Sequence, residues 1–344
     1  GTTGDPKGVM HCFNTTLYAA EVINSEMHVT ENEVLLIWLP VGLNWGYLSL
    51  LQTVMIGARA VLMEKFQATR ALELIEKHRV TFIPTAPASL LAILNVPDFQ
   101  KYDCTSLRVV ITGGASAAIE TIRAYQKHMK GHLLELYGML ETGFHTFTRF
   151  EDDPEKVNGT IGRVVGQMEL RIIDEDGKDV PYGAEGEIAA YGPSVHLGYF
   201  NNPNANKELF TDDDWFRTGD LGKFVDQAGN VMIVGRRKEM INRGGKKYFP
   251  REIEEFLYGH PSILHAAIVG VNDVRLGEKN CLCVVLKPGA KLTLEEVIKM
   301  LKGQVADYKL PEMIEFYDEL PFTPTGKIRR HVLTADVISR INAR

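Results

Sequence analysis

The alternation of hydrophobic and polar positions changes character twice along this chain. From about residue 34 to residue 150, short apolar runs alternate with stretches whose apolar residues recur at helical spacing. Ala71-Leu72-Glu73-Leu74-Ile75-Glu76-Lys77 reads as an amphipathic helix, and Val80-Thr81-Phe82-Ile83-Pro84 as the strand after it. Residues 107–112 form another apolar strand ending at Gly113-Gly114, followed by a helix over 118–129 and a strand over 132–137. This rhythm predicts an α/β lobe with a mostly parallel sheet covered on both faces. In such sheets ligands sit beyond the carboxyl ends of the strands, where Gly113-Gly114 and Gly138 are expected.

After about residue 159 the strands become short and are separated by Asp/Gly turns. Leu170-Arg171-Ile172-Ile173 runs into Asp174-Glu175-Asp176-Gly177, and residues 224–225 and 231–234 flank Asp226-Gln227-Ala228-Gly229. This texture predicts an antiparallel, β-barrel-like subdomain. A third texture starts near Arg236. A helix over 250–258 begins with Pro250, Thr293-Leu294-Glu295-Glu296 reads as a capping box, and strands are expected near 264–271 and 280–286. The predicted organisation is a large domain over 1–235, divided into an α/β lobe (1–158) and the barrel-like part (159–235). A small α+β domain over 236–344 follows, with the boundary between Val234 and Ile241.

Composition changes this picture little. The 344 residues are 45% hydrophobic and 24% charged, ordinary for a globular protein with room for two domains. The net charge is -6 and there is no long basic run, which argues against nucleic acid as a partner. No apolar run approaches the roughly 20 residues of a membrane-spanning helix. Four cysteines, Cys12, Cys104, Cys281 and Cys283, lack zinc-ligand spacing and suggest a reducing compartment, hence a cytoplasmic location. Cys281 and Cys283 fall on one expected strand and are read as pointing to opposite faces.

The candidate chemistry lies in six segments. Gly1-Thr2-Thr3-Gly4-Asp5-Pro6-Lys7-Gly8 offers small residues, two hydroxyls and a lysine to a phosphate, without the spacing of a P-loop. Tyr137-Gly138-Met139-Leu140-Glu141 places a carboxylate just past a strand end. Asp214-Trp215-Phe216-Arg217-Thr218-Gly219-Asp220 sets Asp220 in a tight turn. Gly235-Arg236-Arg237-Lys238-Glu239 and Ile241-Asn242-Arg243-Gly244-Gly245-Lys246-Lys247 mark the domain boundary. Pro321-Phe322-Thr323-Pro324-Thr325-Gly326-Lys327 comes near the end. Taken singly, Glu141 reads equally as a solvated acid, Asp220 as an Asx-turn residue and Lys327 as an exposed turn lysine.

In this order the segments resemble the acyl-adenylate-forming (AMP-binding) superfamily, which includes acyl-CoA ligases, aryl-acid adenylating enzymes and peptide-synthetase adenylation domains. The resemblance runs from Gly1 to about Leu333. It implies an AMP-forming ligase: a carboxylate attacks the α-phosphate of ATP, pyrophosphate leaves, and a thiol, CoA, takes the acyl group. It assigns Thr2, Thr3 and Lys7 to the phosphates, Glu141 to Mg²⁺, and Gly113, Gly114, Ala115, Tyr137 and Gly138 to the nucleotide. Asp220, assisted by Arg236, is assigned to the ribose, and Lys327 to the α-phosphate and the attacking carboxylate together. A swing of the small domain about Lys238 is implied, bringing the close-approach glycines Gly244 and Gly245 onto the thiol's route.

Departures from the family pattern narrow the reading. The strand and the hydroxyl pair that usually precede the opening loop are absent, so an N-terminally truncated chain is expected, with an exposed sheet edge favouring a homodimer. Leu140 stands where a threonine is common. Leu43, Asn44, Trp45, Met139 and Leu140 suggest an apolar acyl pocket for an aromatic, cyclic or medium-chain acid, and no residue is placed to hold an α-ammonium group. Asn44 matches the position of a ring-hydroxyl ligand in aryl-acid adenylating enzymes and equally suits a turn cap. Two alternatives to the acid–CoA ligase stay open: an aryl-acid adenylating ligase that loads a carrier-protein thiol, and an inactive nucleotide-binding fragment.

Overall fold

The computed structural model describes residues 7–114, 119–155, 157–258, 260–323 and 328–343. They fall into a larger unit, Lys7–Thr218 with Gly222–Ile233, and a smaller one, Gly219–Leu221 with Val234–Arg344. The larger unit begins with α1 (Phe13–Glu26), β1 (Val34–Ile37), α2 (Asn44–Ile56), β2 (Arg59–Leu62), α3 (Ala68–His78) and β3 (Phe82–Thr85). It continues with α4 (Pro87–Leu94), β4 (Val109–Gly113), α5 (Ile119–His128), β5 (His132–Met139), β6 (Gly143–Phe147) and β7 (Arg163–Val164).

These strands form one sheet in the order β2-β1-β3-β4-β5-β6-β7. The first five in that order run parallel, and β6 and β7 are antiparallel to their neighbours. Every residue of β1, β3 and β4 is buried, which is why they read as unbroken apolar runs: both faces of the sheet are covered. The two-residue repeat divides β4 between two cores. Val109 and Ile111 join Ile23, Leu48 and Phe82 on one face, while Val110 joins Leu72, Ile75 and Leu90 on the other. Helix α3 supplies Ala71, Leu72, Leu74 and Ile75 to that second core at helical spacing. Each buried Leu, Ile or Val side chain contributes about 1.5–3 kcal/mol by leaving water.

Next come β8 (Glu169–Ile173) and β9 (Gly186–Tyr191), then, after α6 (Pro203–Lys207), β10 (Phe216–Phe224) and β11 (Val231–Arg236), of which Gly219–Leu221 and Val234–Arg236 are counted with the smaller unit. They form a four-stranded sheet in the order β11-β10-β9-β8, an open path among the described residues. β8 and β9 pair antiparallel, and the Thr218 hydroxyl donates to Ile188 O at 2.7 Å. Two boundaries differ from expectation. Gly138 lies inside β5, which continues to Met139, and Asp220 lies inside β10 and not in a tight turn.

The smaller unit contains β12 (Ile241–Arg243), β13 (Lys246–Tyr248), α7 (Arg251–Tyr258), β14 (Ile263–Asp273), β15 (Gly277–Leu286), α8 (Leu294–Leu301), β16 (Met313–Phe316) and α9 (Arg330–Asn342). Its sheet runs β13-β12-β15-β14, with β16 parallel on β15. The capping box is present: Thr293 Oγ1 accepts from Glu296 N at 3.2 Å, and the Glu296 carboxylate accepts from Thr293 N at 2.8 Å. The reading of Cys281 and Cys283 is corrected. Residues two apart on a strand share a face, and both thiols lie in one core with Val269, Leu320 and Leu333. The hydrogen bond that the Cys283 thiol donates to Cys281, together with burial, pushes the Cys283 pKa up. Among the described residues no helix is long and apolar enough to cross a membrane.

Candidate active site

The carboxyl ends of β4 and β5 meet the turn that carries Glu141. Strand β5 runs to Met139 and pairs back with β6 from Gly143, and Thr142 N closes the turn on Met139 O at 3.3 Å. Two glycines make this crossing possible. A Cβ at Gly138 would stand 2.1 Å from Gly143 O, and Gly143 itself has φ +63°. Gly138 is therefore required by the neighbouring strand. Gly113 ends β4, where a Cβ would lie 2.9 Å from Leu136 and 3.2 Å from the Trp45 ring; Gly114 follows at φ +81°.

The carbonyl of each residue in the 139–142 turn is held by a group from outside the turn. Met139 O accepts from Asn44 Nδ2 at 3.3 Å and Leu140 O from His11 Nε2 at 2.7 Å. Glu141 O accepts from His196 N at 2.8 Å, and Thr142 O from the Ser194 hydroxyl at 2.7 Å. The turn is thus fixed from two sides: by the N-terminal ends of α1 and α2, and by the 194–199 loop. The same loop supplies Tyr199, whose hydroxyl donates to Glu141 Oε1 at 2.9 Å. Lys7 Nζ lies 4.7 Å from the centroid of the Tyr199 ring, so Lys7, Tyr199 and Glu141 form one contiguous charged and polar surface. Burial, and then the neighbouring Glu141 charge, raise the Tyr199 pKa, keeping it a hydrogen-bond donor. His196 is 3% exposed among Tyr199, Phe210 and Phe216, and burial pushes its pKa down to about 4, leaving a neutral ring.

Glu141 suits a hard cation. One carboxylate oxygen is oriented by Tyr199, and among the described residues no group of three or more His, Cys, Asp or Glu side chains could hold a metal. Mg²⁺ is ordinarily held by one or two carboxylates together with substrate phosphates and water, and a lone, oriented glutamate fits that mode. Tyr137, expected beside the nucleotide, is 7% exposed and packs with Ile161, Ile172, Ile188 and Val231 beneath the turn.

A cleft of about 340 Å³ opens beside the same turn, lined among others by His11, Thr15, Leu43, Asn44, Tyr47 and Leu140. Of the expected acyl-pocket residues, Leu43, Asn44 and Leu140 line it. Trp45 and Met139 do not. Trp45 is one helical step past Asn44 and packs against the core, edge-on to Phe144 with ring centroids 6.3 Å apart. Met139 is the last residue of β5 and packs against the clusters of the second sheet.

In the smaller unit, Asp220 Oδ1 pairs with Arg236 Nε at 3.0 Å, with the Asp220 side chain 6% exposed. Lys238 is exposed on a single turn, Arg237–Glu239, and its neighbour Glu239 is anchored by Arg330 at 3.1 Å. Gly244 and Gly245 join β12 to β13 with φ +59° and +82°, the two-residue turn that demands glycine. A Cβ at Gly244 would come no nearer than 3.8 Å to Leu276, and at Gly245 it would meet nothing. Thr2, Thr3, Ala115 and Lys327 lie outside the described residues.

Sequence reasoning passed over His11, Ser194, His196 and Tyr199. The available signal was the segment Gly192-Pro193-Ser194-Val195-His196-Leu197-Gly198-Tyr199, in which polar and aromatic side chains crowd between glycines. Nothing in it tells that it folds against Glu141.

Comparison with known proteins follows the same layout. The AMP-binding enzyme family matches residues 1–200, and the AMP-binding enzyme C-terminal domain matches residues 252–327. The medium-chain fatty-acid–CoA ligase of Escherichia coli K12 is 35% identical over 345 residues, covering 99% of this chain and 60% of the relative. A 4-coumarate–CoA ligase of Humulus lupulus is 35% identical over 349 residues, covering 98% and 64%. The ATP-bound MatB structure from Rhodopseudomonas palustris superposes with a TM-score of 0.91 at 31% identity, over 98% of this chain and 66% of that one. The chain spans about 60% of the length of such curated relatives.

Proposed function

We propose that this chain, which belongs to the AMP-binding enzyme family, serves an AMP-forming acid–thiol ligase that activates a carboxylic acid with ATP and passes the acyl group to CoA. The observation that carries the reading is the clamped turn. It sets the Glu141 carboxylate on one side and an apolar cleft on the other, separated by Leu140. A cleft of about 340 Å³ is at the small end of ligand pockets, suited to one ring or a medium-length chain.

The chemistry needs two anions brought together, the acid and the α-phosphate. Fixed donors and cations must therefore be in place before the reaction starts. Lys7, held over Tyr199, would receive the outer phosphates with Thr2 and Thr3, and Glu141 would hold Mg²⁺. That ion, when bound, offsets negative charge on the phosphate oxygens. Lys327 would bridge the attacking carboxylate oxygen and the α-phosphate. The new oxygen–phosphorus bond forms as the bond to pyrophosphate breaks. In the second step the CoA thiolate attacks the acyl carbon and AMP leaves. Asp220, with Arg236, would accept from the ribose hydroxyls.

The test is pyrophosphate release from ATP over a panel of apolar acids, with and without CoA. Octanoate or an aryl acid should release pyrophosphate, and CoA should be consumed with it. Release without CoA consumption indicates a carrier-protein thiol as acceptor, and no release with any acid overturns the reading. Lys327→Ala should lose about 10²–10³-fold in acyl-AMP formation, as for other single transition-state donors, and keep thioester formation from supplied acyl-AMP.

A further inference from the structure

We propose that His11 is a positioning residue that couples the acyl cleft to Glu141, so that an apolar acid in the cleft tightens the binding of Mg²⁺–ATP. The inference rests on the ligase reading and concerns the same site. His11 lines the cleft. Its Nε2 bonds Leu140 O at 2.7 Å and its Nδ1 bonds Thr15 Oγ1 at 3.0 Å. A carbonyl only accepts, so Nε2 carries the hydrogen.

Thr15 is itself buried and fixed at the start of α1, where its hydroxyl oxygen accepts from Cys12 N at 3.1 Å. The imidazole therefore links a rigid helix end to the peptide unit that joins Leu140 to Glu141. Rotation of that peptide moves the Glu141 backbone, while Tyr199 holds its carboxylate from the far side. Asn44 does the same one residue earlier, through Met139 O, and it too lines the cleft. The Leu140 side chain completes the contact surface. An acid that packs against His11, Asn44 and Leu140 orders both donors and the turn they hold. A nucleotide that binds afterwards meets a turn already ordered, and by linkage the effect is reciprocal.

The experiment is calorimetric titration with Mg²⁺ and α,β-methylene-ATP, which cannot be cleaved, with and without octanoate. In the unmodified chain octanoate should tighten the nucleotide about fivefold or more. His11→Gln, which keeps a donor near the Nε2 position, should retain most of that ratio. His11→Leu should bring it to about 1. Asn44→Ala, by the separate route through Met139 O, should lower the ratio in part, which keeps the test open if His11→Leu does not fold. The proposal is overturned by an unchanged ratio in His11→Leu, by no ratio in the unmodified chain, or by His11→Leu weakening the analogue equally with and without acid. A chain that shows the coupling yet releases no pyrophosphate with any acid keeps this inference and loses the ligase reading. One that turns over acids without coupling does the reverse.

Discussion

Tyr199 donates its hydroxyl hydrogen to Glu141 Oε1 at 2.9 Å while its ring faces the Lys7 ammonium 4.7 Å from the centroid. One side chain thereby touches both a candidate metal ligand and a candidate phosphate ligand. Its two ends are separable by mutation.

Tyr199→Phe keeps the ring under Lys7 and removes only the donor to Glu141. A hydrogen bond to a charged group is worth about 1.5–3 kcal/mol, so the Mg²⁺ concentration for half-maximal pyrophosphate release should rise at least about tenfold. The KM for the acid should change little. An unchanged Mg²⁺ requirement removes Tyr199 from the metal site, and an equal rise in both constants points to a general loss of structure.

Asp220 and Arg236 are an ion pair with the acid almost wholly buried. Asp220→Asn keeps the size and one acceptor and removes the charge, so the KM for ATP should rise about tenfold as a charged hydrogen bond to the ribose weakens. Replacing ATP by 2′-deoxy-ATP should cost the unmodified chain more than it costs Asp220→Asn. Equal costs in both would show that Asp220 does not contact the ribose.

How much of this was legible beforehand follows from the range of each interaction. The buried faces of α3 and β4 are written in local apolar spacing, and so is the capping box at Thr293. The Glu141 segment was visible as a motif, but its support was not. His11 reaches Leu140 across 129 positions and Tyr199 reaches Glu141 across 58, and no local pattern encodes such pairings. Asp220 was misplaced because a Thr-Gly-Asp string reads as a turn, whereas Gly219, at φ +76°, sits within a strand. Trp45 and Met139 were assigned to the pocket by adjacency. One step along a helix or strand turns a side chain to another face, and both point into the core.

Leu43 is partly exposed at the entrance of the 340 Å³ cleft and makes up the residue before α2. Leu43→Trp should fill that entrance without touching the core. The specificity ratio, kcat/KM for octanoate over that for propionate, should fall about tenfold or more, the upper part of the range for hydrophobic size discrimination. A preserved ratio would place the acyl chain elsewhere.

His145 gives a stability prediction away from the reacting groups. It is fully buried, its Nε2 donates to Glu169 O at 2.9 Å, and burial drives its pKa down to about 4 from the ordinary 6.5. The unfolded chain therefore binds a proton below about pH 6.5 that the folded chain refuses until about pH 4. Stability is complete above pH 6.5 and falls as pH drops through that window, because the unfolded state takes up more protons. At pH 5 this one group should cost about 2 kcal/mol relative to pH 7.5, from 1.36 kcal/mol per unit of pKa difference. His145→Gln retains a donor for Glu169 O and cannot titrate. Urea unfolding at pH 7.5 and pH 5 should show a smaller drop for the variant by about that amount, with other titrating groups common to both. Identical drops would mean that His145 is not the group that the fold holds neutral.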